Sequence, residues 1–404
     1  MVNPLAGLQP QEHSESPSQL PKQPIAVVGG SAAGLFTASL LARRGASVQV
    51  FESAETLDPA ARTLIVTHKL RSLLGPAAAG SVVNEIRRFE LFTDGRSATV
   101  GLKDPDLIIE RSALIRGLAA EAQKAGAELK FGRRFSRLHS NGAGIVVEVE
   151  RASDGLHEAV HTQTVVGSDG AASRVAQSAG WPQHETVPLV QAIVPLPKDM
   201  SPDTVRVWFV PDDTPYFYWL IPDSTTRGAL GLIGESAPEM RKHLERFLEK
   251  RKLEPISFQG AKIPVYKRWV PVERCVGNGK VFLVGDAAAQ VKVTTVGGIV
   301  TGFRGAIGVA ESILNGGESA ELRRLRRELD MHLLLRRSLH HFQQSDYSRL
   351  VDLLNASALR KLGEYSRDDA LKVLFQICAS QPRLILLGLR GLLTGGRGFG
   401  ATRP

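Results

Sequence analysis

The first residues whose types and spacing could do chemistry are Gly29-Gly-Ser-Ala-Ala-Gly34, with Glu52 lying 23 positions beyond Gly29. A pyrophosphate is held by backbone N–H groups and the positive end of a helix, and it tolerates few side chains in between. Gly29 permits the tight turn this needs, and Gly34 permits close packing of a helix on a strand. Ser31 stands where the second glycine of G-x-G-x-x-G is expected. It, Ala32 and Ala33 are small enough to leave the backbone approachable. Glu52 sits where a carboxylate accepts hydrogen bonds from an adenosine ribose. The pattern suits NAD and FAD equally, and a glycine-rich turn beside a surface glutamate would carry the same letters.

The flanking elements must present those groups. Ile25-Ala-Val-Val28 is a short, continuously apolar run, the pattern of a strand buried on both faces of a parallel sheet. Leu35 to Arg44 reads as a helix stopped at Gly45, and Ser47 to Phe51 as the next strand, which completes a βαβ unit in about 30 residues. Ser112 to Lys124 predicts a second helix, and Glu128 to Val166 alternates as strands do. From Val187 to Ile263 the chain turns aromatic and strand-rich, with a helix from Pro238 to about Lys252. Lys280 to Val284 is another buried-type strand, and beyond Gly298 the pattern is almost entirely helical.

The expected fold is therefore α/β. A discontinuous Rossmann-like nucleotide-binding domain, 23–186 together with 264–316, carries an inserted antiparallel-sheet substrate domain at 187–263. A helical C-terminal region, 317–404, follows. Residues 1–22, rich in Pro, Gln and Ser without periodicity, read as a disordered extension.

Composition narrows the class. The 404 residues, 43% hydrophobic and 23% charged, suit an ordinary globular protein with room for two joined domains. Cys275 and Cys378 have neither disulfide-framework nor metal-ligand spacing, which fits a reducing, cytoplasmic compartment. No secretory signal or long apolar span is expected. The net charge is +9, and residues 317–404 carry 15 Lys/Arg against 9 Asp/Glu. No nucleic-acid-binding motif accompanies this charge, so a solvated surface or an anionic membrane is its counterpart. The apolar, acid-free segment from Gln381 to Pro404, with Arg383, Arg390, Arg397 and Arg403, could rest on a bilayer or pack as a buried helix.

Two later stretches choose between NAD and FAD. Val165-Val-Gly-Ser-Asp-Gly-Ala-Ala-Ser173 resembles the "DG" motif of the flavoprotein hydroxylase-like superfamily, with Asp169, Gly170 and Ser173 matching. Val281-Phe-Leu-Val-Gly-Asp-Ala-Ala288 resembles its second flavin motif, whose aspartate, here Asp286, accepts hydrogen bonds from the ribityl chain. The resemblance implies that the turn at Gly297, Gly298 and Ile299 directs N–H groups toward the pyrimidine side of the flavin. It also implies that Arg111, at a helix start, faces the flavin phosphates or ribityl region. FAD becomes the expected cofactor and the Rossmann-like part an FAD-binding domain.

Within that superfamily the chain is similar to the geranylgeranyl reductase family from about Gln23 to Leu393. Asp286 through Gly302 resembles that family's stretch after the Gly-Asp motif. Phe217-Tyr-Trp-Leu-Ile-Pro222 resembles its Y-x-W-x-F-P motif, with Trp219 and Pro222 matching and Phe217 in place of tyrosine. The early segment Ala60 to Leu74 lacks the family's frequent cysteine. The implied reaction is reduction of isoprenoid C=C bonds by hydride from reduced flavin, on an apolar prenyl substrate. Tyr218 and His68 are the candidate proton donors, and NAD(P)H or a ferredoxin is the electron source. A flavin monooxygenase or halogenase, with Lys69 as its lysine, is the rival enzyme. A non-catalytic prenyl-binding protein is the rival from another class.

Overall fold

The computed structural model describes residues 23–394, so the expected N-terminal extension, Arg397 and Arg403 lie outside the described residues. Two large sheets organise the chain. The first has six strands in the order β16 (Glu273–Val276), β17 (Gly279–Leu283), β10 (Thr164–Gly167), β1 (Ile25–Val28), β2 (Val48–Phe51) and β6 (Glu128–Lys130). All pairs are parallel except β16 with β17. Every residue of β1 and β10 is buried, as continuous apolar runs in a two-sided sheet require. Helices α1 (Ala32–Ala42), α4 (Arg111–Lys124) and α7 (Ile299–Asn315) bury one face of this sheet. A three-stranded meander, β7 (Arg133–Ser140), β8 (Ile145–Arg151) and β9 (His157–Thr162), packs on the other, with the short α5 (Arg174–Ser178).

The second sheet has eight strands in the order β15 (Ser257–Pro264), β11 (Thr186–Pro195), β14 (Arg227–Ile233), β13 (Tyr218–Pro222), β12 (Thr204–Trp208), β4 (Val82–Thr93), β5 (Arg96–Glu110) and β3 (Thr63–Val66). It is larger than the segment 187–263 suggests. β4 and β5 form a long hairpin through Asp94 and Gly95, both at positive φ, and β4 runs parallel to β12 with Thr204 opposite Arg88. Strands between residues 63 and 110 thus join a sheet whose other members start at Thr186. Local periodicity identifies a strand but not its distant partner.

Alternation gives this sheet two apolar faces. Trp208, Tyr218, Leu220, Leu230 and Leu232 pack under α6 (Ala237–Arg251), against Met240, Leu244 and Phe247. Val205, Val207, Trp219, Ile221 and Ile233 face the opposite way, toward the first sheet. The two short helices α2 (Lys69–Leu74) and α3 (Pro76–Ala79) connect β3 to β4.

The C-terminal region is helical as expected: α8 (Ala320–Leu339), α9 (Gln344–Leu353), α10 (Ala356–Glu364), α11 (Ala370–Ser380) and α12 (Arg383–Thr394). In the last segment α12 is packed through one residue and open at others. Leu387 is buried with Phe342 and Tyr347, whereas Ile385, Leu386 and Leu389 are exposed.

One glycine shows how tightly the second sheet is packed. Gly231 lies between Gln191 and Trp219 on the neighbouring strands, and a Cβ there would come within 2.6 Å of both side chains. Gly231→Ala is therefore expected to displace the Trp219 ring and destabilise the fold by about 2 kcal/mol. Chemical denaturation followed by tryptophan fluorescence measures both effects.

Candidate active site

The phosphate turn follows from the close approach of β1, β10 and α1. Gly29 has φ +101°, and its N–H donates to Phe51 O at 2.8 Å. A Cβ on Gly29 would lie 2.7 Å from Ser168 O, and one on Gly34 would lie 2.6 Å from Gly29 O and against Ser168 Oγ. Ser31 is the N-cap of α1, its Oγ accepting from Gly34 N at 3.2 Å. That cap starts the helix at Ala32, earlier than apolar periodicity alone indicates. Glu52 closes over the turn: Oε2 accepts from Gly30 N at 2.7 Å, and Oε1 accepts from Ala54 N and Ser53 Oγ at 2.9 Å each. The carboxylate is thereby held at the end of β2.

A cleft of about 420 Å³ runs from this turn to the inner face of the second sheet. Ser31, Ala32 and Ala33 lie at one side, with Asp286, Gly297, Gly298 and Ile299 beside them. Asp286 occupies a single 3-10 turn, Gly285–Ala288, directly after β17. That turn is fastened from behind, since Gln290 Oε1 accepts from Gly285 N at 2.8 Å and Thr301 Oγ1 donates to Gln290 O. Loss of water pushes the Asp286 carboxyl above the usual carboxylate range, while the Arg62 and Arg111 guanidiniums pull it back. Gly298 is the N-cap of α7, and a Cβ there would lie 3.1 Å from Asp286 Oδ1.

Arg111 stands where α4 begins. Glu110 caps that helix by accepting from Ser112 N at 3.0 Å and Ala113 N at 2.8 Å, and Arg111 N donates to Arg62 O at 3.1 Å. Arg62 is a site residue that motif reading misses, because a lone arginine carries no spacing signal. Burial and the Arg111 charge push its guanidinium below the usual arginine range, against the pull of Asp286. Among the described residues its Nε is buried without a hydrogen-bond partner, as is Trp219 Nε1, and both residues line the cleft. These free donors, the bare Gly29–Gly34 backbone and the Asp286 turn suit an anionic, oxygen-rich dinucleotide such as FAD. Gly29 to Gly34 and Glu52 would hold its adenosine and phosphates. Asp286, Arg62, Arg111 and Gly297 to Ile299 would hold the flavin half.

The far wall is apolar: Phe89, Leu91, Val205, Val207, Phe217, Trp219 and Ile221 all line the cleft. Seven of the sequence candidates are outside the lining: Gly29, Gly34 and Glu52, which build the turn described above, and Tyr218, His68, Pro222 and Asp169. Tyr218 is corrected as a proton donor, because the two-residue period of β13 turns it to the α6 face. There it stacks on Phe247 at 4.1 Å and donates to Asp213 Oδ2 at 2.8 Å. His68 precedes α2, half-buried, and does not line the cleft. Pro222 ends β13 outside the lining, and its carbonyl accepts from Asn84 Nδ2 at 3.0 Å. Asp169 spends its carboxylate on α5, accepting from Arg174 N at 2.7 Å, Val175 N at 3.1 Å and Ser173 Oγ at 2.5 Å. Its neighbour Gly170 lines the cleft instead.

Three consecutive residues of the C-terminal region tie it to the cleft, and Arg367 among them lines it. Arg367 donates to Asp106 Oδ2 from Nε at 2.9 Å and Nη2 at 2.5 Å. Asp368 accepts from Lys292 Nζ and Thr67 Oγ1, and Asp369 pairs with Lys69 at 2.8 Å. Lys292, Thr67 and Arg367 all line the cleft, and sequence reading assigns none of them.

Tyr218→Phe tests the orientation of β13. It is expected to cost about 1 kcal/mol through the lost hydrogen bond to Asp213. The rate at which substrate reoxidises the reduced protein should stay within about twofold of the parent. Denaturation curves and stopped-flow traces read the two effects separately.

Comparison with known proteins gives a consistent result. Residues 22–315 match the FAD binding domain family. Digeranylgeranylglycerophospholipid reductase 2 of Methanothermobacter thermautotrophicus is 29% identical over 291 residues, 69% of this chain and 74% of that protein. The digeranylgeranylglycerophospholipid reductase of Methanothrix thermoacetophila is 24% identical over 371 residues, 84% of this chain and 93% of that one. The crystal structure of a geranylgeranyl bacteriochlorophyll reductase-like protein from Thermoplasma acidophilum superposes with a TM-score of 0.75 at 18% identity, covering 91% of this chain and 99% of that one. A flavin-dependent halogenase shares the fold at a TM-score of 0.66 and 16% identity, over 91% and 78%. The chain belongs to the FAD binding domain family of FAD-dependent oxidoreductases, within which it resembles the geranylgeranyl reductases.

Proposed function

We propose that this oxidoreductase reduces C=C bonds of long isoprenoid chains of the geranylgeranyl type, on a lipid or diphosphate head group. One observation carries the reading: the apolar sheet face from Phe89 to Ile221 and the Asp286–Gly298 turn line a single cleft. Bound FAD, once reduced, supplies the hydride. The protein's part is to lay the alkene along Val205, Val207, Trp219 and Ile221 and to keep water from it. The names of the two reductases reported above support the same substrate class. The halogenase-like reading takes Lys69 as its lysine, and the lysine that does line the cleft, Lys292, is paired with Asp368. Lys69 itself pairs with Asp369 and lies outside the lining.

Two measurements test this. Asp286→Ala is expected to lose bound flavin, read from the visible absorbance of purified protein and the Kd of added FAD. The parent protein, reduced anaerobically, is expected to be reoxidised by prenyl alcohols, diphosphates or ether lipids, with stepwise gain of two hydrogens in the product by mass spectrometry. Absence of reoxidation by every prenyl compound, with flavin bound, would sink the substrate reading.

The substrate class also gives meaning to the exposed side of α11 and α12. Phe375 is 72% exposed and Leu386 66%, with Leu371, Ile385 and Leu389 nearby in the chain, and residues 370–394 hold Lys372, Arg383 and Arg390 but no acid. Among the described residues no helix is long and apolar enough to cross a membrane. We therefore propose that this face rests on the anionic cytoplasmic surface of a bilayer, where prenyl lipids lie. Cosedimentation with anionic phospholipid vesicles should fall severalfold in the Phe375→Asp/Leu386→Asp variant while flavin content is kept. Unchanged cosedimentation would refute membrane contact here and leave the reductase reading intact.

A further inference from the structure

Lys292 is a buried ammonium to which the proposed reaction gives no part. It belongs to the loop between Asp286 and α7, its side chain is 6% exposed, and it lines the cleft. Its backbone N–H donates to Gly297 O at 3.2 Å, and a Cβ on Gly297 would lie 3.8 Å from Nζ. The charge therefore lies beside the two glycines that lead into the N-terminus of α7. Its partner, the Asp368 carboxylate, comes from the turn between α10 and α11 and is 1% exposed. The second Asp368 oxygen accepts from Thr67 Oγ1.

A buried ion pair is weak evidence for stability, because a well-packed apolar pair does as well or better. Its position in a cofactor cleft has another consequence. A flavin that has taken up two electrons carries negative charge on its pyrimidine side. An ammonium fixed nearby in a medium of low dielectric constant favours that form over the oxidised one. The partial positive charge of a helix N-terminus acts in the same direction, and Lys292 adds a full charge to it.

We propose that Lys292 raises the reduction potential of the bound flavin, with Asp368 as the positioning residue that holds the ammonium in the cleft and offsets part of its charge. This role rests on the flavin placement proposed above. It makes the C-terminal helical region part of the redox site, since Asp368 reaches the flavin loop from there.

The two partners should move the potential in opposite directions, which damage to the fold would not do. Potentials are measured by anaerobic titration of the bound flavin against reference dyes. Lys292→Met is expected to lower the potential by about 30 mV, equivalent to a tenfold weaker preference for reduced over oxidised flavin. Asp368→Asn, whose carboxylate lies outside the lining of the cleft, should raise it by a smaller amount, and Lys292→Arg should leave it near the parent value. If a single variant does not fold, Lys292→Met/Asp368→Leu leaves no buried charge and should still show a lowered potential. Unchanged potentials, or shifts of the same sign in Lys292→Met and Asp368→Asn, would overturn the role of Lys292. Flavin retained by Asp286→Ala would instead overturn the placement on which it rests.

Discussion

Ser168, at the end of β10, holds the cofactor side of the molecule together. Its Oγ donates to Val28 O at 2.9 Å and to Gly29 O at 2.8 Å, and its backbone N–H donates to Val28 O. These bonds pull the loop after β10 onto the turn after β1, so tightly that neither Gly29 nor Gly34 has room for a Cβ. The turn is thus compressed between a strand and a helix, and Ser31, Ala32 and Ala33 line the cleft from it. Glu52 closes the third side from β2 by taking the Gly30 N–H. Three adjacent parallel strands therefore each contribute one part of the proposed dinucleotide site.

The substrate side follows from a different constraint, the period of two along β13. Trp219 and Ile221 face the cleft while Tyr218 and Leu220 face α6, and no side chain on a flat strand can serve both. Both faces of this strand are buried, so the chain reads as uniformly apolar and aromatic there. Only the position of α6 on one side, and of the nucleotide-binding sheet on the other, divides the residues into core and cleft. The same division leaves Trp219 Nε1 buried and unpartnered, a cost of about 1–3 kcal/mol that a bound ligand oxygen could offset.

The C-terminal helices finish the site. Arg367, Asp368 and Asp369 tie one turn to Asp106 on β5, to Lys292 and Thr67, and to Lys69 at the start of α2. Each tie spans hundreds of residues except Lys292–Asp368, which spans 76. Of these only the Lys292–Asp368 pair is buried on both sides, and removing either partner would leave the other charge uncompensated.

By itself the sequence determined the glycine-rich turn, the identity of the cofactor and the FAD binding domain family to which the chain belongs. These depend on short segments, Gly29 to Gly34, Glu52 and Asp286 with its following loop, whose backbone chemistry is local. It also determined that the region from Val187 to Ile263 is a sheet and that the chain beyond Gly298 is helical, since both are matters of period. It did not determine that β3, β4 and β5 join that sheet, that Asp169 accepts from the first N–H groups of α5, or that Tyr218 and His68 stay out of the cleft. Nor did it bring Arg62 toward Asp286, or Lys292 to Asp368. Those outcomes rest on which strand pairs with which and on which face of a two-sided sheet meets the cofactor domain. Only the tertiary structure decides them, because hydrogen-bond pairing and burial act between residues that the chain keeps far apart.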